Sequence, residues 1–106
     1  MSAFAVANLR EITMGQPIVD YLERIDATLA PFGGRFVIHG GLYERLEGHW
    51  TGDLIAIEFP DRAHALDWYH SPAYQAILPL RTQNSVGEAI LIDAVPPDHL
   101  ATDVLA

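Results

Sequence analysis

Six segments whose apolar side chains repeat in the order strand, helix, strand, strand, helix, strand leave this chain few ways to bury its hydrophobic surface. Ala3 to Leu9 reads as a short apolar strand, with Phe4 and Val6 on one face and small alanines on the other. Thr13-Met14-Gly15-Gln16 has the form of a capping box, and Pro17 fits a first helical turn, where its missing N–H costs little. Ile18, Tyr21, Leu22, Ile25 and Leu29 then recur at helical spacing, with Asp20, Glu23 and Arg24 on the opposite side and Asp20 placed to pair with Arg24. Pro31 and Gly33-Gly34 close this helix.

Arg35 to Gly41 is the second strand, in which Phe36 and Ile38 share one face and Arg35, Val37 and His39 the other. Gly40-Gly41 marks a bulge or a close backbone approach. The stretch Glu47 to Asp53 has the glycines and short polar residues of a hairpin connection, and Leu54 to Phe59 forms the third strand. Asp61 caps a second helix with Ala65, Leu66, Trp68 and Tyr69 on its apolar side. Ser71-Pro72 interrupts that helix and caps a further segment, which Pro79 is expected to end or kink. Val86 to Val95 is the fourth strand, and Pro96-Pro97 ends it because neither can donate to a ladder. Residues 1–95 thus form one domain and residues 96–106 a tail, with Leu100, Val104 and Leu105 as the apolar edge of a helical turn or two.

The element order is the split β-α-β pattern: an α+β, ferredoxin-like domain (βαββαβ) with a four-stranded antiparallel sheet, strand order 4-1-3-2, and both helices on one face. The second face, expected to carry Leu54, Val37 and alanines, stays open, and a second copy of the chain is an economical cover for it.

Charge and missing residue types narrow the chemistry. All six cations are arginine, against 14 Asp and Glu, for a net charge of −8 over 106 residues. Without lysine no Schiff base can form, and without cysteine there is no thiolate nucleophile, disulfide or Cys-ligated zinc. The acidic balance argues against a nucleic-acid partner, and no apolar run approaches the ~18 residues of a membrane span. Met1-Ser2-Ala3-Phe4 lacks the basic region of a secretory signal, so a cytoplasmic setting is the default expectation.

Several blocks carry a family resemblance: Leu29-Ala30-Pro31-Phe32-Gly33-Gly34-Arg35-Phe36, Leu46-Glu47-Gly48-x-Trp50, Ile57-Glu58-Phe59-Pro60, and above all Trp68-Tyr69-x-Ser71-Pro72-x-Tyr74-Gln75. Together they resemble the DUF1330 family of the dimeric alpha-beta barrel superfamily. The resemblance implies a ferredoxin-like protomer that dimerises through its open sheet face as a dimeric alpha-beta barrel. It implies no reaction, since the superfamily spans small monooxygenases, haem-degrading enzymes, muconolactone isomerases and stress-responsive barrels. At His39 the chain departs from the pattern, which has arginine there; imidazole titrates near neutrality and guanidinium does not.

A tight hairpin centred near Gly48-His49 would set His39 opposite Glu58, and such a pair would be an acid/base couple. The same pair could equally be a structural cross-strand contact at a dimer interface. Asn8 and Asp93 are candidates to face one cavity, and Arg81 is positioned to return from the second helical segment as an anion anchor or to complete the helix dipole. Trp50, in a loop, is the better ligand-wall candidate; Trp68, Tyr69 and Tyr74 lie on helical faces where aromatics usually form core, though Tyr69 is kept as a binding candidate. The five histidines have no metal-ligand spacing, so neither metal nor cofactor is expected. Two functions remain: a domain that binds or converts a small apolar or aromatic molecule between sheet and helices, or a non-catalytic homodimeric module whose tail embraces its partner. With a net charge of −8, a neutral or weakly acidic ligand is the easier one unless Arg81 or a protonated His39 offers local rescue.

Overall fold

The ten-residue strand β1 (Ala3–Ile12) lies at the centre of the molecule, with its small side chains turned toward the helices. A computed structural model describes all residues 1–106. After β1 come α1 (Gln16–Leu29), β2 (Arg35–His39), β3 (Asp53–Phe59), α2 (Arg62–Tyr69), α3 (Pro72–Thr82) and β4 (Ser85–Asp93). Short 3₁₀ turns follow α1 at Ala30–Phe32 and close the tail at Ala101–Leu105. The sheet order is β2-β3-β1-β4, every pairing is antiparallel, and the fold is the expected α+β ferredoxin-like one.

The expectation of a barrel is corrected. β2 and β4 are the two edges of the sheet and do not pair with each other, so the sheet is open. Four strands of ordinary twist cannot close; even a small barrel whose interior only just holds its own side chains takes about eight.

The registers decide which side chains meet the helices. Ala5 lies opposite Ile57 and Leu91, and Ala7 opposite Ile55 and Ala89, and these rows are on the helix side. Phe4, Val6 and Asn8, with their partners Glu58, Ala56 and Leu54 and then Ile92, Ile90 and Glu88, form the outer face. The alanines are therefore inside, not on the open face. The reason is volume: the helices bring the rings of Tyr21, Trp68 and Tyr74 against the sheet, and large residues on both sides of that layer would overfill it.

Those rings hold the core together. Trp68 packs 5.3 Å from the Phe59 ring and 4.0 Å from the Tyr74 ring, contacts worth about 0.5–1.5 kcal/mol each beyond area burial. Its indole N–H donates to Thr28 Oγ1 at 3.0 Å, and Thr28 donates in turn to the Ile25 carbonyl, so α1 and α2 are joined by a satisfied buried polar chain. Ser71 caps α3 as expected, accepting from the Tyr74 N–H at 3.3 Å and donating to the Trp68 carbonyl at 2.7 Å. Asp61 caps α2; the His64 backbone N–H, then its ring, holds the Asp61 carboxyl below the usual carboxylate range.

Several details of the helices differ from the sequence reading. α1 begins at Gln16 behind Gly15, with no capping side chain, because Thr13 is drawn into the end of the sheet, where its N–H bonds the Asn84 carbonyl at 2.8 Å. Gln16 instead bonds Asp20 at 2.7 Å, occupying the carboxylate expected to meet Arg24. α3 runs through Pro79 to Thr82, so the proline removes one hydrogen bond without ending the helix.

The residues 40–52 and the tail leave the body as apolar arms: Leu42, Leu46, Val104 and Leu105 are almost wholly exposed. The radius of gyration is 15.2 Å, where a compact chain of this length has about 13 Å. Accessible surface is 7184 Å², against about 5,900 Å² for a monomer of this mass.

Where β4 crosses the bulge of β1, a Cβ built on Gly87 would stand 2.1 Å from the Asn8 carbonyl oxygen and 2.9 Å from the Leu9 Cα. The obstacle is backbone and cannot swing aside. Gly87→Ala is expected to cost about 1–3 kcal/mol, lowering the urea midpoint at fixed protein concentration with an unchanged slope. An unaltered midpoint would contradict this close approach.

Candidate functional site

A cavity of about 500 Å³ lies between the sheet and the helices, within the range of small-molecule sites. It exists because β1 and β4 offer Ala5, Ala7 and Ala89 where larger residues would fill the layer under α1 and α3. Of its 26 lining residues, 20 are hydrophobic, so the few polar groups in the wall decide how a guest would be oriented.

Besides Asp53, His70 and Ser85, the wall holds two such sets. On one side, α1 and α3 are bridged by the hydroxyls of Tyr21 and Tyr74, 2.8 Å apart, with the rings edge to face at 6.2 Å. Burial, reinforced by the neighbouring Tyr74 hydroxyl, pushes the Tyr21 phenol far above its ordinary range, so it is a neutral donor at any physiological pH. Arg81, in the last turn of α3, sits beside both hydroxyls with its guanidinium carbon 5.9 Å from the Tyr21 ring centroid. On the other side is His39 at the end of β2, its ring stacked on Phe36 at 4.4 Å with 16° between planes.

The position of His39 overturns its expected pairing. A register shift between Phe36 and Ile38 puts Arg35 opposite Glu58 and His39 opposite Ile55. Arg35 bonds Glu58 at 2.7 Å on the outer face, while His39 shares the helix side with Phe36 and lines the cavity. The connection 40–52 is too long to impose a tight-turn register, and the bulge breaks the two-residue alternation on which the pairing rested. The His39–Glu58 acid/base couple is not formed.

Of the other sequence candidates, Tyr69 and Arg81 line the cavity. Asn8 faces the outer side, its Oδ1 buried beneath Gly52 without a hydrogen-bond partner. Asp93 is on the helix-side row with Ala3 and Phe59 and is bound by Arg62 at 3.1 Å, so it shares no cavity with Asn8. Trp50 stands on the 40–52 arm, where its carbonyl accepts from Arg45 at 2.7 Å, and it lines a separate shallow groove with Tyr43 and Leu46. The sequence reading missed Tyr21 and weighed Tyr74 only as an aromatic wall or core ring, without a role for its hydroxyl. Their signal was present: a tyrosine at an apolar helix position must find a partner for its hydroxyl, and two of them on different helices can satisfy each other. No three His, Asp or Glu side chains are grouped to hold a metal ion.

Solved structures share this architecture. A protein of unknown function from Rhodopseudomonas palustris superposes with a TM-score of 0.67 at 17% identity, over 91% of this chain and 84% of its own. A dimeric ferredoxin-like protein of unknown function from Jannaschia sp. CCS1 gives 0.59 at 10% identity, over 89% of this chain and 100% of its own. SnoaB, a cofactor-independent oxygenase from Streptomyces nogalater, gives 0.56 at 16% identity, over 92% and 94%. At these identities the likeness shows the fold alone. No curated protein matches the sequence, and no helix is long and apolar enough to cross a membrane. The family model that matches covers residues 2–95, nearly the whole length, and the chain belongs to that family, the Domain of unknown function DUF1330.

Proposed function

We propose that this chain is a small-molecule-binding domain whose cavity receives an apolar or aromatic compound, and that two copies associate through the outer sheet face. The observation that carries the first part is the cavity itself: about 500 Å³, mostly hydrophobic, with few polar groups in its wall. Tyr69 is a wall residue, and His39 is the imidazole we assign to move a proton to or from a guest, with His70 a second imidazole in the wall. That a cofactor-independent oxygenase has a similar fold is consistent with conversion as well as binding, and the fold fixes neither.

Association is supported by the outer face and by the arms. Ile38, Ile90 and Ile92 are 41%, 57% and 48% exposed on or beside a face that also carries Phe4 and Val6. The surface beyond that of a compact monomer, about 1,300 Å², exceeds the ~800 Å² each partner contributes to a standard interface. Two structures of similar fold, from Jannaschia and Thermobifida fusca, are dimeric proteins. The exposed arms also favour a second reading, a dimeric module without a ligand, and the cavity separates the two.

A thermal-shift screen of small aromatic compounds is expected to find ligands that raise the melting temperature of wild type and not of Ala7→Leu, in which the added side chain occupies the cavity. If Ala7→Leu keeps its fold and binds every hit as well as wild type, the cavity is not the site; if nothing binds wild type, the module reading stands. His39→Ala should bind but lose any turnover that a hit undergoes. Light scattering at micromolar concentration should give twice the 11.7 kDa of one chain. Ile92→Glu, which sets a carboxylate on the outer face beside Phe4, should give the single-chain mass; a single-chain mass for wild type refutes association.

A further inference from the structure

Six arginines serve this acidic chain, and Arg81 alone among them is not solvent-exposed. Arg10, Arg35 and Arg62 are bound to Glu88, Glu58 and Asp93, Arg45 donates to a backbone carbonyl, and Arg24 is in solvent. Arg81 has no salt bridge, although 14 carboxylates are available. Asp53, the only carboxylate in the cavity wall, does not bridge to it. The guanidinium is surrounded instead by the Tyr21 ring and the two joined tyrosine hydroxyls.

Completing the dipole of α3 would not require this arrangement. A helix-end cation does that from solvent, close to the last carbonyls, whereas Arg81 lines the cavity. A half-buried cation without a counter-charge is costly, and its planar fork of donors matches a carboxylate in bidentate fashion. The hydroxyl pair adds a second polar element: each tyrosine can donate, and their mutual bond uses only one of the two protons. The surrounding wall is apolar, so it would accept the rest of such a molecule and little more polarity.

We propose that the guest of this cavity is an amphipathic organic anion, an apolar or aromatic body bearing one carboxylate or enolate, whose charge is met by Arg81 and by a proton from the Tyr21–Tyr74 hydroxyl pair. The inference rests on the cavity reading above and makes it specific. It reverses the preference for a neutral guest that net charge alone suggests: the repulsion of a −8 surface acts through water and salt, while Arg81 acts at contact. Tyr21 and Tyr74 are then binding residues, joining α1 and α3 at the guest's polar end.

The test compares 2-naphthoate with 2-naphthamide, which share a body and differ in charge, by titration calorimetry on the full chain. Wild type should bind the acid at least ten-fold more tightly than the amide. Arg81→Met should remove that preference by weakening the acid far more than the amide, and Tyr21→Phe or Tyr74→Phe should weaken the acid several-fold. Because Met replaces a cation without a counter-charge, Arg81→Met should melt no lower than wild type; should it fail to fold, Arg81→Gln serves, and misfolding of both would mean that Arg81 is structural and overturn the inference. Equal affinity of wild type for acid and amide, or an acid preference that survives Arg81→Met, also overturns it while leaving the cavity reading in place. Binding of neither compound by wild type overturns both.

Discussion

The placement of Ala3, Ala5 and Ala7 under the helices governs the layering of the whole molecule. A central strand with small inner residues lets α1, α2 and α3 bring aromatic side chains to the sheet, so that Tyr21, Trp68 and Tyr74 join Phe59 and the aliphatic Ile25, Leu29, Ile57 and Ile77 in the core. The same small residues leave the layer incompletely filled, and the cavity is the remainder. Alternation then forces the larger partners of the strand, Phe4 and Val6, outward, where they join Ile90 and Ile92 in an apolar outer face. Core, cavity and outer face are thus three results of one choice of residue size along one strand.

Much of this was legible in the sequence. The helical repeat from Ile18 to Leu29 and the caps at Asp61 and Ser71 follow from local rules whose reach is a few residues, and the strand order follows from the succession of elements. The parts that were not legible depend on distances the chain pattern does not encode. Phe4 and Val6 alternate with alanines, but alternation says only that the two sets face opposite ways, and the bulkier set is the natural choice for the core. Only the volume of the aromatic side chains from α1, α2 and α3 reverses it.

The site was half legible for the same reason. Arg81 and Tyr69 were singled out because their residue types suit a binding wall, and both line the cavity. His39 reaches it too, but on different grounds from those that drew attention to it: a bulge carries its ring next to Phe36, away from Glu58. A bulge adds one residue without changing composition, so no count of apolar positions reveals it. Tyr21 was absorbed into the helical repeat, where its ring belongs and its hydroxyl does not.

The pairing of β1 with both β3 and β4 also bears on how the chain assembles while it is being made. β1 leaves the ribosome before the other elements of this domain, yet its neighbours are Asp53–Phe59 and Ser85–Asp93, and Ala3 meets Asp93 across the sheet. During elongation at ~5–20 residues per second, the strand that will hold the sheet together must wait with both apolar faces wet until nearly all the domain has been synthesised. The aliphatic β1 carries Arg10 and Glu11 near its end and is followed by an α1 rich in Asp and Glu. Residues 1–52 carry six carboxylates against four arginines, so most of the net negative charge of the chain arrives with residues 53–106, in the same stretch that supplies β3 and β4 and completes the sheet.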